Sequence, residues 1–300
     1  MQLLIKSSGR LRMATNENEV IRQHTVPVCY LANFGINGNQ SRDSVVYFYN
    51  IQDGKADQSG VESFPVEKYF YDIESLGEHK QIIEKMFSEI EGELSTLLKE
   101  LLDLIVIDPK DRESSIVQIS TEQKNTLSAQ IAMQAARTRA FRDYFKSVHQ
   151  QLKDGLPFAD IPRYEKADFQ RLHTTEILSF GMSNFYANLF DDRHWVFLIN
   201  HTDTPFLTSD NPAIMIDNRK EKNGPISPVS DEATFYFPIS PIVAIEIYDK
   251  KVLKNDLRYF DIYQDKNVRW YNGQILKNCT RFLFSNKDFK SAKSEVASNE

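Results

Sequence analysis

His24, the Ser209-Asp210-Asn211-Pro212 string and the Gln134/Arg137 pair are the residues of this chain whose types and spacing suit chemistry. A histidine titrates near neutral pH, so His24 can serve as general base, metal ligand or a cation facing phosphate. It stands three residues before Pro27, and the competing reading is a buried histidine that holds a turn. His173, His194 and His201 form no HxxxH or HExxH pair and read as surface or fold residues. The string Ser209 to Pro212 follows the apolar run Phe206-Leu207, and a strand end can project polar side chains into a cleft. There Asp210 is the natural acid or ligand, Asn211 an orienting group and Ser209 a substrate contact. The same composition also favours an Asx-turn before Pro212. The letters SDN occur in serine penicillin-recognising enzymes, but those need an SxxK nucleophile and a KTG strand, and this sequence has neither. Gln134 and Thr138 interrupt an apolar helical stripe that Arg137 borders, and polar groups there need partners. An arginine forks onto phosphate or carboxylate, so Arg137 either grips a substrate phosphate or pairs with Asp210 to tie helix to sheet.

The elements that must position these residues are legible from periodicity. Ile83, Phe87, Ile90, Leu94, Leu97, Leu101 and Leu104 alternate spacings of three and four, which predicts a long helix within residues 79–107. The seam lasts only about three heptads, favouring an intramolecular hairpin over a dimeric coiled coil. The partner is a second helix capped at Ser120 or Thr121, striped by Leu127, Ile131, Phe141, Phe145, Val148 and Leu152, and ended by Gly155 and Pro157. A third helical region, residues 166–189, is less regular and breaks around Gly181. Residues 45–50 read as a strand, 53–60 as a polar loop and 64–75 as irregular. From His194 the period becomes strand-like, with a helix at residues 265–279 and a closing strand after it.

Composition narrows the partners. Thirty-six Lys+Arg oppose 42 Asp+Glu for a net charge of −6, so a histone-like or polybasic-anchor protein is excluded and only a local basic patch can meet an anion. No apolar run approaches the roughly 18 residues of a membrane helix. Two cysteines, Cys29 and Cys279, make neither a metal motif nor a disulfide framework, pointing to a reducing compartment, the cytoplasm. P-loop, dinucleotide, EF-hand, CxxC and GxSxG patterns are absent.

Several strings, taken in order, resemble the domain-of-unknown-function family 4238. They are HTVPVCYLANF from His24, VEKYFYDIE from Val66, IAMQAARTRAFR from Ile131, PFLTSDNPAIM from Pro205, FPISP from Phe237 and VRWYNGQILKNCTRFLFS from Val268. The resemblance spans residues 24–285 and rests on the order of individually weak motifs. It implies one bacterial-type intracellular unit and brings no activity with it. Cys29 and Cys279 depart from the residues that the pattern leads one to expect, an aromatic and a small one, which argues against a required thiol.

The expected fold is α+β, a single domain over residues 19–286 with tails at 1–18 and 287–300. An antiparallel-rich sheet packs on a central helical hairpin within a helical portion of about residues 78–190. The expected function is hydrolysis of phosphodiester bonds, in RNA for example, with His24, Asp210 and Asn211 catalytic and Gln134, Arg137 and Ser209 on substrate. The alternative is a non-catalytic binding or regulatory protein whose polar motifs are structural. The sequence names neither a cofactor nor a metal. Its partner is nucleic acid or another phosphorylated ligand, with no membrane, and its state monomer or homodimer.

Overall fold

Leu94, Leu97, Leu98 and Leu101 fall on one side of a single helix, and their burial organises the middle of the molecule. The computed structural model describes residues 19–38, 40–156, 160–222 and 224–289; the expected tail at 1–18 and residues 290–300 of the expected tail at 287–300 lie outside them. Helix α1 is Val28–Ala32, α2 Ile82–Leu104, α3 Thr121–Ala136, α4 Arg139–Gly155, α5 Lys166–Ser179, α6 Gly181–Asp191 and α7 Asp265–Asn278. The α2 seam is covered by this chain's own Val28 and Leu31 from α1 and Leu127, Ile131 and Ala132 from α3. Each such apolar side chain contributes roughly 1.5–3 kcal/mol on full burial. Ser120 caps α3 reciprocally: its hydroxyl accepts from Gln123 N at 3.1 Å, and Gln123 Oε1 accepts from Ser120 N at 2.9 Å.

The expected second helix is two helices. Thr138 donates its hydroxyl to Ala135 O at 3.0 Å and accepts from Phe141 N at 3.2 Å, with an extended ψ of 162°. A threonine whose side chain replaces backbone partners both ends one helix and starts the next. The third helical region breaks at Phe180, which sits in the left-handed region at φ 55° between α5 and α6.

The strands form three antiparallel-rich sheets around these helices, an α+β fold. Strands β5 (His194–Asn200), β7 (Ile214–Asp217), β8 (Ala233–Pro238), β9 (Val243–Tyr248) and β10 (Arg258–Ile262) make a five-stranded sheet in the order β10-β5-β9-β8-β7. Only the β10–β5 pair in it is parallel. The near-continuous apolar run of β5 matches its central position. A four-stranded sheet, β3-β2-β11-β6, joins the two ends of the chain, with Phe48 of β2 (Val45–Asn50) opposite Phe284 of β11 (Phe282–Ser285). Its other members are β3 (Lys55–Gly60) and β6 (Thr208–Ser209). The third sheet is the short pair β1 (Arg22–His24) and β4 (Val66–Lys68).

Two sequence expectations change. The polar segment 53–60 is not a loop: Asp53-Gly54 turns the chain, with Gly54 at φ 69°, and β3 pairs along β2. Its side chains are polar because it is an edge strand facing water. The chain also stays packed past residue 286, where Phe289 is buried and Lys287 Nζ donates to Asp203 O at 2.5 Å.

Candidate functional site

Three of the six sequence-predicted site residues meet where β1 and the end of α3 cross α2. Arg137, the last-turn cap of α3, is 3% exposed. Its Nη2 donates to His24 O at 2.7 Å and pairs with Glu91 Oε1 at 2.8 Å, while its guanidinium lies 4.1 Å from the centre of the Phe87 ring. Gln134 Nε2 donates to Thr25 O at 3.2 Å, and Tyr71 Oη donates to Arg137 O at 2.6 Å. Burial works against the Arg137 charge, and Glu91 and Tyr71 outweigh it. The His24 ring turns the other way, with Nε2 3.1 Å from Glu62 O, a contact that requires a proton on Nε2. Burial lowers its pKa below the ordinary histidine value. Arg137 therefore meets Glu91 and backbone through the single nitrogen Nη2, and Asp210 is not its partner.

Ser209, Asp210 and Asn211 belong to a second node, at the turn from α7 into β11. Asp210 Oδ1 accepts from Thr280 N at 2.9 Å, and Oδ2 accepts from Thr280 Oγ1 at 2.5 Å and Phe282 N at 3.3 Å. Cys279 Sγ lies 3.5 Å from Oδ1. Ser209 Oγ accepts from Asn211 N, and Asn211 Nδ2 donates to Asn278 O, each at 3.0 Å. The turn is thus closed by Ser209, while Asp210 fastens strands 70 residues away. No hydrogen bond or ion pair joins His24 to Asp210 among the described residues. Tyr30 of α1 ties to the strands near Asp210: its hydroxyl lies 2.7 Å from Thr208 Oγ1 and donates to Pro238 O at 2.6 Å.

Sequence reasoning counts Arg139 and Arg142 only as charge close to Arg137, and misses the third group, which Arg142 forms with His173. Arg142 is the one buried residue of α4, where an apolar stripe was expected to pack. Its Nε donates to His173 Nδ1 at 3.1 Å, its Nη2 donates to Phe70 O, and the guanidinium lies 3.5 Å from the centre of the Phe70 ring. His173, wholly buried, donates from Nε2 to Ala136 O at 2.7 Å. These bonds fix the neutral Nε2–H tautomer. Burial, then the Arg142 charge, pushes the His173 pKa down to about 3. Burial also lowers Arg142 to about 10, against the opposing influence of Tyr71, Glu67 and Asp143. Arg142 forms part of the wall of an 80 Å³ cavity with Glu67, Lys68, Tyr69, Phe70, Arg139, Lys146, Lys166 and Gln170. Arg139 forks onto Glu67 and Lys146 pairs with Asp143, whereas Lys68 and Lys166 have no charged partner among the described residues. Tyr69 holds a left-handed φ of 52°, the kind of strain that persists where surrounding structure over-determines it. The basic spacing Arg139, Arg142, Lys146 was visible in the sequence, but nothing marked Lys68 and Lys166 as its neighbours.

Two further features bear on chemistry. Glu84 beside the Arg137 node is raised to about 7 by burial, with Glu91 and Asp72 adding to it and Arg137 opposing. His201, read as a surface or fold residue, bonds through Nε2 to Asp261 Oδ1 at 2.7 Å, and Asp261 is held on both oxygens by Arg112. Among the described residues no group of three His, Cys, Asp or Glu side chains is placed to hold a metal ion, and no helix is long and apolar enough to cross a membrane.

The fold and these nodes define an α+β protein with a buried polar crossing and a basic cavity. The chain belongs to the family described as protein of unknown function (DUF4238), which matches residues 22–289. Neither a curated protein nor a solved structure matches it.

Proposed function

We propose that this protein binds a phosphorylated ligand without turning it over. Arg142 carries the reading: a buried guanidinium held by a histidine and a carbonyl, with no ion pair among the described residues, in the wall of a cavity with Glu67 and four further cations. A buried charge of this kind is costly unless an anion meets it. Hydrolysis of a phosphodiester asks His24 and Asp210 to share one reacting phosphate. His24 is committed to Glu62 O, and both Asp210 oxygens to residues 280 and 282. That favours the structural role for them. Two free thiols, Cys29 and Cys279, both pushed up by burial, support a reducing, cytoplasmic setting.

The test is calorimetric titration of the full chain with a 5′-phosphorylated oligoribonucleotide and a nucleoside monophosphate, each followed by chromatography of the recovered ligand. Binding with intact ligand is the expected result. Cleavage that disappears in His24→Ala and Asp210→Ala variants, with folding retained, would restore the hydrolase.

A further inference from the structure

We infer that the basic cavity takes a dianionic phosphomonoester, a terminal phosphate, and not the phosphodiester of a continuous strand. The inference rests on the phosphate-binding reading above and names the group that the cavity selects. Size is the first argument. The 80 Å³ space is walled by β4 and the residues after it, by the first turns of α4 and by the start of α5. It has room for one tetrahedral anion, whereas a strand passing through needs two exits and space for flanking sugars.

Charge is the second. Five cations face one carboxylate in this wall, in a protein whose net charge is −6. Glu67 answers Arg139, and Asp143 answers Lys146 from outside the wall. Among the described residues Arg142, Lys68 and Lys166 form no ion pair. A diester brings a single negative charge, but a monoester with a second ionisation near pH 6 brings almost two. Three uncompensated cations around one small space therefore discriminate in favour of the monoester.

Preorganisation is the third. Arg142 is clamped through Nε by His173 and through Nη2 by Phe70 O. The clamp removes the rotamer entropy that a flexible arginine loses on binding. His173 acts here as a positioning residue: its Nδ1 can accept from Arg142 only while the ring is neutral, and the depressed pKa keeps it so. The cavity also adjoins the N-terminal ends of α4 and α5, where helix dipoles favour an anion.

Calorimetry and thermal unfolding of the full chain test this with three probes: inorganic phosphate, a nucleoside 5′-monophosphate and its 3′,5′-cyclic diester. Loss of a charge-assisted contact corresponds to about tenfold in affinity, so the monoester should bind about tenfold tighter than the cyclic diester at pH 7.5. Between pH 7.5 and 5.5 monoester binding should weaken as the second charge is lost, while the diester, a monoanion throughout, should bind alike at both. Glu67 and Asp143 flank the cations, and an equal change for both probes would point to them instead and overturn the inference. Inorganic phosphate binding as tightly as the monoester identifies the phosphate group alone as the ligand; tighter monoester binding shows that the ester moiety is also read. Lys166→Glu, an exposed change in the first turn of α5, should weaken the monoester at least about tenfold with an unchanged unfolding midpoint. Arg142→Gln should do the same where it folds. Equal affinity for monoester and diester, or a Lys166→Glu variant that binds like the parent, overturns the inference. If phosphorylated probes bind but do not discriminate, only this inference falls; if none binds, the phosphate-binding function falls with it.

Discussion

Arg142 Nε donates to His173 Nδ1 at 3.1 Å, and the far nitrogen of the same ring donates to Ala136 O at 2.7 Å. One imidazole thus joins α4, α5 and the last turn of α3. Protonating it would place a second cation against Arg142 on a ring that is wholly buried, and Nδ1 would lose its lone pair. The cost of that charge appears as pH-dependent stability. The folded pKa, about 3, lies below the unfolded value near 6.5, so the stabilisation is complete above pH 6.5 and is lost as pH falls toward 3. Urea unfolding between pH 7 and 5 should show a slope of at most about 1.4 kcal/mol per pH unit from this group. His24 shifts in the same direction and adds to it. His173→Gln should flatten the slope; an unchanged slope would mean that the ring is not the titrating group.

Glu84 gives the opposite sign. Burial raises its folded pKa to about 7, above the unfolded carboxylate value, so its contribution is present at low pH and lost as pH rises through 7. Glu84→Gln, neutral at all pH, should raise the unfolding midpoint at pH 8 and leave it nearly unchanged at pH 4. The gain should be on the order of 1 kcal/mol, since partial solvent access screens the charge. Equal effects at both pH values would show that Glu84 acts through packing and not through its charge.

Asp210 should matter to folding and not to ligand. Its two oxygens hold Thr280 N, Thr280 Oγ1 and Phe282 N, which set β11 beside β6. Asp210→Ala leaves those buried donors unmatched and should cost about 2–3 kcal/mol, while phosphomonoester affinity at the Arg142 cavity stays within about twofold. A folded, fully stable Asp210→Ala protein that no longer binds phosphate would place this aspartate in the ligand site instead.

How far these sites were legible follows from what kind of signal each carries. The α2 seam, the β5 run and the Ser120 cap are local patterns, and each appears where residue spacing puts it. The break at Thr138 was hidden because the apolar stripe continues across it, and only the threonine's bonds to Ala135 and Phe141 reveal the switch from one helix to the next. Gln134 was found because a polar residue on an apolar stripe must have a partner, Arg137 because it borders that stripe, and His24 because a histidine titrates near neutral pH. Asp210 was placed with them on chemistry alone, and its true partners lie about 70 residues further on, beyond any local period. The Arg142 cavity draws Lys68, Arg139 and Lys166 from three elements, so its charge exists only once β4, α4 and α5 are brought together.

The seam on α2 sets the oligomeric prediction. Leu94 and Leu101 are 4% and 3% exposed against α1 and α3 of the same chain. Changing both to Glu buries two unpaired charges, and the double variant should unfold outright, with no folded monomer released from a dimer. Sedimentation combined with circular dichroism separates the outcomes. A folded monomer in the double variant, from a parent that sediments as a dimer, would make the seam intermolecular.

Arg137 supplies the last prediction, because its role depends on shape. One nitrogen, Nη2, serves both Glu91 and His24 O, and the planar group stacks on Phe87 at 4.1 Å. A lysine keeps the charge but loses the plane and reaches with a single strongly hydrated point, so it cannot stack and bridge at once. Arg137→Lys should therefore destabilise nearly as much as Arg137→Ala, by about 2–4 kcal/mol in urea unfolding at pH 7. Glu91→Gln, which keeps an acceptor while removing the charge, should cost less than either. Because Arg137 lies outside the basic cavity, variants that still fold should bind phosphomonoester as the parent does. An Arg137→Lys protein within about 0.5 kcal/mol of the parent would show that charge alone suffices at this crossing. Weakened phosphate binding at full stability would move Arg137 from the scaffold to the ligand.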